Sequence, residues 1–381
     1  MKPLGPPDAP IAIICDYPSP ADYSSGIPLS DHSSQLFWRI ASDKGILKNS
    51  CFIDTVLQRT LPAKPKLLKA AMKALLYKGK RCPGPDWEKE KDFWISPELL
   101  EQRKRILQTL ELVRPRIVIA MGDLALWALT TNIGILKWRG SRIALPQHPF
   151  QVVPCLSSRG LQKDITLSTY FQIDLGRAKN IFEGKQLPRN YRFEVAPSAE
   201  QACQRLDALI QRSSEQEHLL IATDIETRGG HITCLGLAWS PEEAICFPLI
   251  TTNDEKTFFY TEEEEAEILY RCAKLFTQPS VSTIGQNFLY DAQYMHRHWG
   301  FVPTNVVDTM IGNHSIFAPL RKNLGFLSSM YAQDHVYWKD DIDDWDPTLG
   351  ERQYWEYNCR DNCVTWEIWP EILKMLESCN V

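Results

Sequence analysis

Residues 220–227 read Leu-Ile-Ala-Thr-Asp-Ile-Glu-Thr and constrain the chain more than any other stretch. The run is apolar and β-branched, the pattern of a buried strand. Asp224 and Glu226 close it two residues apart, and strand alternation turns both carboxylates to one face. Two carboxylates side by side at the end of a strand entering a core carry a desolvation cost and a mutual repulsion that a cation between them relieves. The stretch therefore predicts a divalent metal site, with further ligands supplied from elsewhere in the chain.

A length of 381 residues predicts two or three domains of ordinary globular composition. No apolar run approaches the roughly 18–20 residues of a membrane span, and the start lacks the apolar core of a signal peptide. These features predict a cytoplasmic protein with no membrane partner. The 11 cysteines are an odd number with no C-x-x-C pair, which favours reduced thiols over a disulfide or zinc framework. The net charge of -5 hides an asymmetry. Residues 1–190 carry 28 Lys and Arg against 17 Asp and Glu, whereas residues 191–381 carry 14 against 30. A basic half of this kind suits a polyanion such as nucleic acid. Residues 183–190 lack periodicity and separate the two charge regimes, so the expected domains are 1–187 and 188–381.

In the first half, short apolar runs at 11–15, 51–56, 116–122 and 151–155 read as strands that alternate with helices near 33–45, 96–113 and from 123 onward. Ser96 as N-cap, Pro97 and Glu98 mark the start of the longest of these helices. Alternating strands and helices predict an α/β sandwich with a mostly parallel sheet. Residues 59–81 hold no acid. Lys66, Lys69 and Lys73 fall at helical spacing, and Lys78, Lys80 and Arg81 follow. Such a stripe is either a solvated helix face or a row of phosphate contacts.

Three stretches carry a resemblance: Cys15-Asp16-Tyr17-Pro18-Ser19, the block Leu112 to Leu129, and Cys155-Leu156-Ser157-Ser158-Arg159. Over about residues 10–185 the chain resembles the uracil-DNA glycosylase superfamily, nearest its iron–sulfur branch. That implies a three-layer α/β/α domain. The departures bear on activity. The family's Gly-Glu-Ala-Pro-Gly loop is replaced by the first stretch, and the histidine of its second loop is missing from the last. His148-Pro149 precedes the strand instead. The cysteines do not follow the family's cluster spacing, so no iron–sulfur cluster is expected. A glycosylase must stabilise a departing base anion, and without that histidine the domain is expected to be catalytically degenerate.

In the second half, residues 231–239 and 244–250 read as antiparallel partners of the opening strand, a three-strand meander with a turn at Gly229-Gly230. Residues 284–291 form a strand entering a helix, with Asp291 at its start. Tyr357 and Asp361 stand four apart on a later helix and share a face. Four motifs now stand in order: Thr223-Asp224-Ile225-Glu226-Thr227, Asn287-Phe288-Leu289-Tyr290-Asp291, Asp308-Thr309-Met310 with residues 321–327 behind it, and Tyr357-Asn358-Cys359-Arg360-Asp361. Across 190–381 the chain resembles the 3′-5′ proofreading exonuclease domain of family A DNA polymerases, in the tyrosine (DEDDy) form of the last motif.

The resemblance implies a ribonuclease H-like mixed sheet. It also implies two divalent cations, Mg²⁺ or Mn²⁺, held by Asp224, Glu226, Asp291 and Asp361. Asp224 would bridge both ions, and Tyr357 would orient the attacking water. Thr227, Asn287 and Phe288 would contact the 3′ end of single-stranded or frayed primer DNA. Asp308 suits a helix N-cap better than a ligand role. The chain ends soon after this domain, which leads to the expectation of a stand-alone proofreading subunit, of phage type, acting in the host cytoplasm with a DNA polymerase in trans. Two alternatives accompany this reading: a bifunctional repair enzyme that also removes uracil, and a DNA-binding or polymerase-recruiting scaffold.

Overall fold

The structure, a computed structural model, describes all residues except 162, 163, 165, 254, 255, 343, 344, 347–349 and 381. The chain divides into two compact units. One comprises Met1–Leu187 with Asp334–Tyr337, the other Pro188–Gln333 with Trp338–Val381.

The first unit is built on strands β1 (Ile11–Cys15), β2 (Cys51–Thr55), β3 (Leu76–Lys78), β4 (Glu88–Glu90), β5 (Phe93–Ile95), β6 (Ile117–Met121), β7 (Ile143–Ala144) and β8 (Gln151–Cys155). Its main sheet runs β2-β1-β6-β8-β7, parallel except for β7. The central strands are buried on both faces, which is why they read as unbroken apolar runs. Ala12, Ile14, Val118, Ala120 and Val152 pack beneath Pro97–Val113 and Asp123–Thr130 through Leu99, Ile106, Leu124 and Trp127. His32–Asp43 and Leu167–Phe182 meet through Phe37 and Phe171, whose rings lie edge to face at 6.0 Å, and the latter helix packs on β6 and β8. This is the expected three-layer arrangement.

Residues 76–95 form a small antiparallel sheet, β3-β5-β4, that no sequence pattern announces. Strands of three residues, one of them Glu-Lys-Glu, are too short to show a period. Asp334–Tyr337 adds a further element that no local pattern announces. Arg142 donates to both oxygens of Asp334 at 2.8 and 2.9 Å, and the Tyr337 amide donates to Ser141 Oγ at 3.1 Å.

The second unit contains β9 (Arg192–Val195), β10 (Leu219–Arg228), β11 (His231–Ala238), β12 (Glu243–Pro248), β13 (Ile250–Asn253), β14 (Lys256–Phe258), β15 (Val281–Gly285) and β16 (Val306–Asp308). Six of them form one mixed sheet in the order β16-β15-β10-β11-β12-β9. β10 and β11 pair antiparallel, as do β11 and β12, while β15 runs parallel to β10. One face packs on Ala199–Glu215 and Glu262–Phe276 through Ile221, Ile225, Leu235, Leu206, Ile268 and Phe276. The opposite face receives the long helix Arg352–Cys379.

Small residues let that helix approach closely. A Cβ built on Gly236 would fall 1.9 Å from Asn358 Oδ1 and 2.3 Å from Asn362 Nδ2. Alternation along β10 therefore sends Ile221 and Ile225 into the core and Asp224 and Glu226 toward the helix.

Candidate active site

Asp224 and Glu226 face Arg352–Cys379 near the end of β10, where a bulge after Glu226 shifts the register with β11. Asp361 meets them from the helix. Among the described residues, Asp224, Glu226 and Asp361 each offer a carboxylate oxygen within 4.8 Å of the others. Asp291 sits in the first turn of Leu289–Trp299 and is tied to the sheet, its Oδ1 accepting from the Ile225 amide at 2.9 Å. It stands outside the group of three, but its charge reaches Asp224.

Burial is the largest influence on Asp224, Glu226 and Asp291 and favours their protonated forms. It lifts Asp224 well above the carboxylate range, and Asp291, Glu226 and Asp361 push in the same direction. Glu226 rises to about 8 through burial and then Asp361, against the pull of Lys339. Asp291 rises to about 7, with the Ile225 amide opposing burial. Such a cluster needs positive charge. The donors are all hard carboxylate oxygens, which fit Mg²⁺ or Mn²⁺ and not a soft metal.

The helix contributes more than Asp361. Asn358 Nδ2 donates to Asp224 Oδ2 and to the Asp224 carbonyl, both at 3.2 Å. Asn358 was missed as a site residue, although its place three residues before Asp361 puts it on the same face. Two other residues gave no signal in the sequence. Trp338 Nε1 donates to Asp361 Oδ1 at 2.7 Å, and Lys339 Nζ donates to Tyr357 Oη at 2.8 Å and to Asp361 Oδ2. Burial would lower the Lys339 pKa, but Asp361 and Tyr357 outweigh it and hold the ammonium charged. Burial raises the Tyr357 phenol, as does Asp361.

A cleft of about 440 Å³ opens on these groups, lined among others by Asp224, Asn287, Met310, Lys322, Lys339 and Asp361. Asn287 lines it with φ +60°, at a sharp turn between β15 and the next helix. Asp308 fixes that turn. It accepts from the Asn287 and Phe288 amides at 3.2 and 2.7 Å and caps Thr309–Ile316 through the Met310 amide at 2.8 Å. Phe288 is 5% exposed and belongs to the core. Thr227 lies beyond the carboxylates, its hydroxyl 2.6 Å from that of Tyr290. A groove of similar size along residues 193–197 has no cluster of acids, and its Glu194 is paired with Arg205.

The basic stripe lies in the other unit. Lys66, Lys69, Lys73, Lys78, Lys80 and Arg81 are all exposed, and Lys78 pairs with Asp92 at 2.9 Å. Leu67, on the same short helix, is 54% exposed.

Residues 199–377 match the model of the 3′-5′ exonuclease family of the DNA polymerase A type. Except for Asp334–Tyr337, the matched segment lies within the second unit. Residues 2–172 match the uracil DNA glycosylase superfamily model, so the chain joins two known domain types. No curated protein sequence matches the chain. Among solved structures, the catalytic core of RRP6 from Trypanosoma brucei is similar at 14% identity with a TM-score of 0.40, over 51% of this chain and 50% of that one. Escherichia coli RNase D, an exoribonuclease, matches at 15% with a TM-score of 0.37, over 50% and 46%. The Nibbler EXO domain of Aedes aegypti matches at 12% with a TM-score of 0.38, over 51% and 94%. The chain thus spans about half the length of the RRP6 and RNase D structures. The comparisons give no support to a viral source or to a polymerase partner. Among the described residues no helix is long and apolar enough to cross a membrane.

The glycosylase-like domain carries Asp16 in its first loop. Asp16 Oδ1 accepts from the Ala125 amide at 2.9 Å, at the head of Asp123–Thr130. Arg159 stands where the family's histidine loop would be, its guanidinium 4.0 Å from the Tyr17 ring centroid and bonded to the Tyr17 carbonyl at 2.5 Å. The hollow lined by Tyr17, Asp22, Ser158 and Arg159 is about 10 Å³, about enough for a single water.

Proposed function

We propose that the chain is a metal-dependent 3′-5′ exonuclease that removes nucleoside monophosphates from DNA. The observation that carries this reading is the convergence of Asp224, Glu226 and Asp361 within 4.8 Å, on a cleft that Tyr357 reaches through Lys339. Asp224, Glu226 and Asp361, with Asp291 beside them, would hold two divalent cations. When bound, the ions supply an activated hydroxide and stabilise the leaving 3′ oxygen. The chain's own groups do the positioning. Asn358 and Trp338 fix the Asp224 and Asp361 carboxylates, Tyr357 orients the attacking water, and Asn287 and Lys322 face the terminal nucleotide.

DNA is preferred over RNA as substrate because the chain joins a domain of the DNA polymerase A exonuclease type to one of the uracil DNA glycosylase superfamily. The first domain is read as a nucleic-acid-holding module, with Arg159 and Tyr17 filling the space a flipped base would need. The test is a nuclease assay on 5′-labelled DNA and RNA strands of one sequence, with Mg²⁺ or Mn²⁺. Stepwise shortening of DNA, lost in Asp224→Ala, is expected. Retention of activity by Asp224→Ala rejects the site, and preference for RNA rejects the substrate class.

A further inference from the structure

Lys339 belongs to none of the four acidic motifs, yet it touches the two side chains of the last one. It lies in an irregular segment after Leu324–Tyr331, and its side chain lines the cleft beside Asp224 and Asp361. Trp338, immediately before it, is 1% exposed and stacks against the Arg360 guanidinium at 4.9 Å. Anchored in this way, the backbone delivers Lys339 Nζ to within 2.8 Å of Tyr357 Oη, against Asp361 Oδ2 and 4.6 Å from the Tyr357 ring centroid.

Hydrogen-bond inventory gives this contact a direction. An ammonium has three donors and no acceptor, so the phenol oxygen must accept from Lys339. The single phenolic proton is then left for another partner. The nearest candidate on the same helix face is Asp361, one turn on. Its Oδ1 already accepts from Trp338 and its Oδ2 from Lys339. With Trp338 and Lys339 on one lone pair of each Asp361 oxygen and the proposed cations on the others, Asp361 has no acceptor left for the phenolic proton, which turns away from it toward Glu226, whose charge reaches the phenol. Each Asp361 oxygen keeps a second lone pair for a cation, so the arrangement is compatible with the ligand role.

We infer that Lys339 is a positioning residue of the exonuclease site, fixing the Tyr357 hydroxyl as a hydrogen-bond donor that faces the attacking water. The inference rests on the exonuclease reading above. It differs from a purely structural role because it predicts that Lys339 acts through Tyr357.

The experiment uses the full chain with Mn²⁺ and a 5′-labelled single strand, comparing Lys339→Met, Lys339→Arg, Tyr357→Phe, the Met–Phe double variant and Asp224→Ala. Lys339→Met is expected to lower kcat by about 10-fold or more while KM moves by less than about threefold, the sign of a contact that acts in the chemical step. The double variant is expected to be no slower than Tyr357→Phe alone, and Lys339→Arg to recover part of the loss. Where Lys339→Met fails to fold, Lys339→Arg and its double variant with Tyr357→Phe make the same comparison. Full activity of Lys339→Met, or losses that multiply in the double variant, overturn the inference and leave the exonuclease reading intact. An inactive wild-type chain, or an active Asp224→Ala, overturns both.

Discussion

Replacing Asp224 by asparagine should stabilise the ion-free protein while abolishing its activity. Asp224 is half-buried and has Glu226 and Asp361 oxygens within 4.8 Å. At that separation two unit charges repel by about 3 kcal/mol at an effective dielectric of about 20, so Asp224 meets about 6–7 kcal/mol of repulsion if every acid is ionised. Proton uptake and the nearby Lys339 ammonium relieve part of this, and about 3 kcal/mol of relief is expected from the neutral side chain. Asparagine keeps the oxygen that accepts from Asn358 Nδ2, so no hydrogen bond is lost. For a domain of this size that relief corresponds to a rise in Tm of about 6–12 °C.

Divalent cations act on the same free energy from the other side. A ligand at about 100 times its Kd stabilises the folded state by about 2.7 kcal/mol, which the wild type should gain and the variant largely lose. Thermal unfolding of both chains, in chelator and in Mn²⁺, reads the difference. The variant should melt higher in chelator, and the wild type should close the gap in Mn²⁺. A variant that melts no higher than wild type in chelator, or one that gains as much from Mn²⁺, refutes the picture of repelling carboxylates waiting for cations.

Four further outcomes follow from particular contacts. Burial pushes Asp16 from 3.8 up to about 7, against the Ala125 amide. Its folded value lies above its unfolded one, so stability falls as pH rises from about 4 through 7, by about 4 kcal/mol in all; urea unfolding at pH 5 and pH 8 should show Asp16→Asn to be nearly free of this loss. Reversing the charge at Lys66, Lys69 and Lys73 should flatten the salt dependence of DNA binding by about 2–3 in log–log slope if each meets a phosphate, and an unchanged slope removes them from the interface. Gly236→Ala should cost about 1–3 kcal/mol by overpacking and should weaken divalent binding, because its Cβ displaces Asn358 from Asp224; calorimetric titration with Mn²⁺ measures the second effect. Asp291→Ala should lose about 1–3 kcal/mol through the unpaired Ile225 amide, whereas Asp291→Asn should keep the stability and lose the activity, as chemical unfolding and the nuclease assay would show.

What was legible in the sequence was whatever a short period encodes. Asp224 and Glu226 share a face because strands repeat every two residues, and Tyr357 and Asp361 share one because helices repeat every 3.6. The buried strands Ile11–Cys15 and Ile117–Met121 announced themselves as apolar runs with no polar side. Lys339 and Trp338 were illegible for the opposite reason: they lie in an irregular segment, and only the path of the chain brings them to Asp361. Pairing across long sequence separations hid Asp334–Tyr337 in the same way, since Arg142 and Asp334 stand 192 residues apart. Phe288 shows a third kind of difficulty. Next to Asn287 in the motif, it suits either a nucleotide contact or the core, and the left-handed φ at Asn287 turns the two side chains apart, Asn287 to the cleft and Phe288 to the core.

The position of the acids follows from the topology of their sheet. β10 is where the pairing changes sense, parallel to β15 on one side and antiparallel to β11 on the other. The parallel ladder ends at Ala222 and Ile284, two residues before Asp224. There β15 leaves the sheet through Gly285, where a Cβ would meet the Phe288 ring at 2.4 Å. The departure opens a crevice at a switch point, the place where open α/β sheets bind ligands. It also leaves the Ile225 amide beyond the end of the ladder, and Asp291 Oδ1 takes the place of a strand carbonyl. A carboxylate in that position mends the sheet edge with one oxygen and adds charge to the crevice with the other. Strand alternation supplies Asp224 and Glu226 to the same space, and the small side of β11, at Gly236, admits the helix that brings Asp361. The acids are therefore gathered at the points where the sheet's own hydrogen bonding runs out, so the fold itself, and not the chemistry alone, assembles the ligands of the proposed cations.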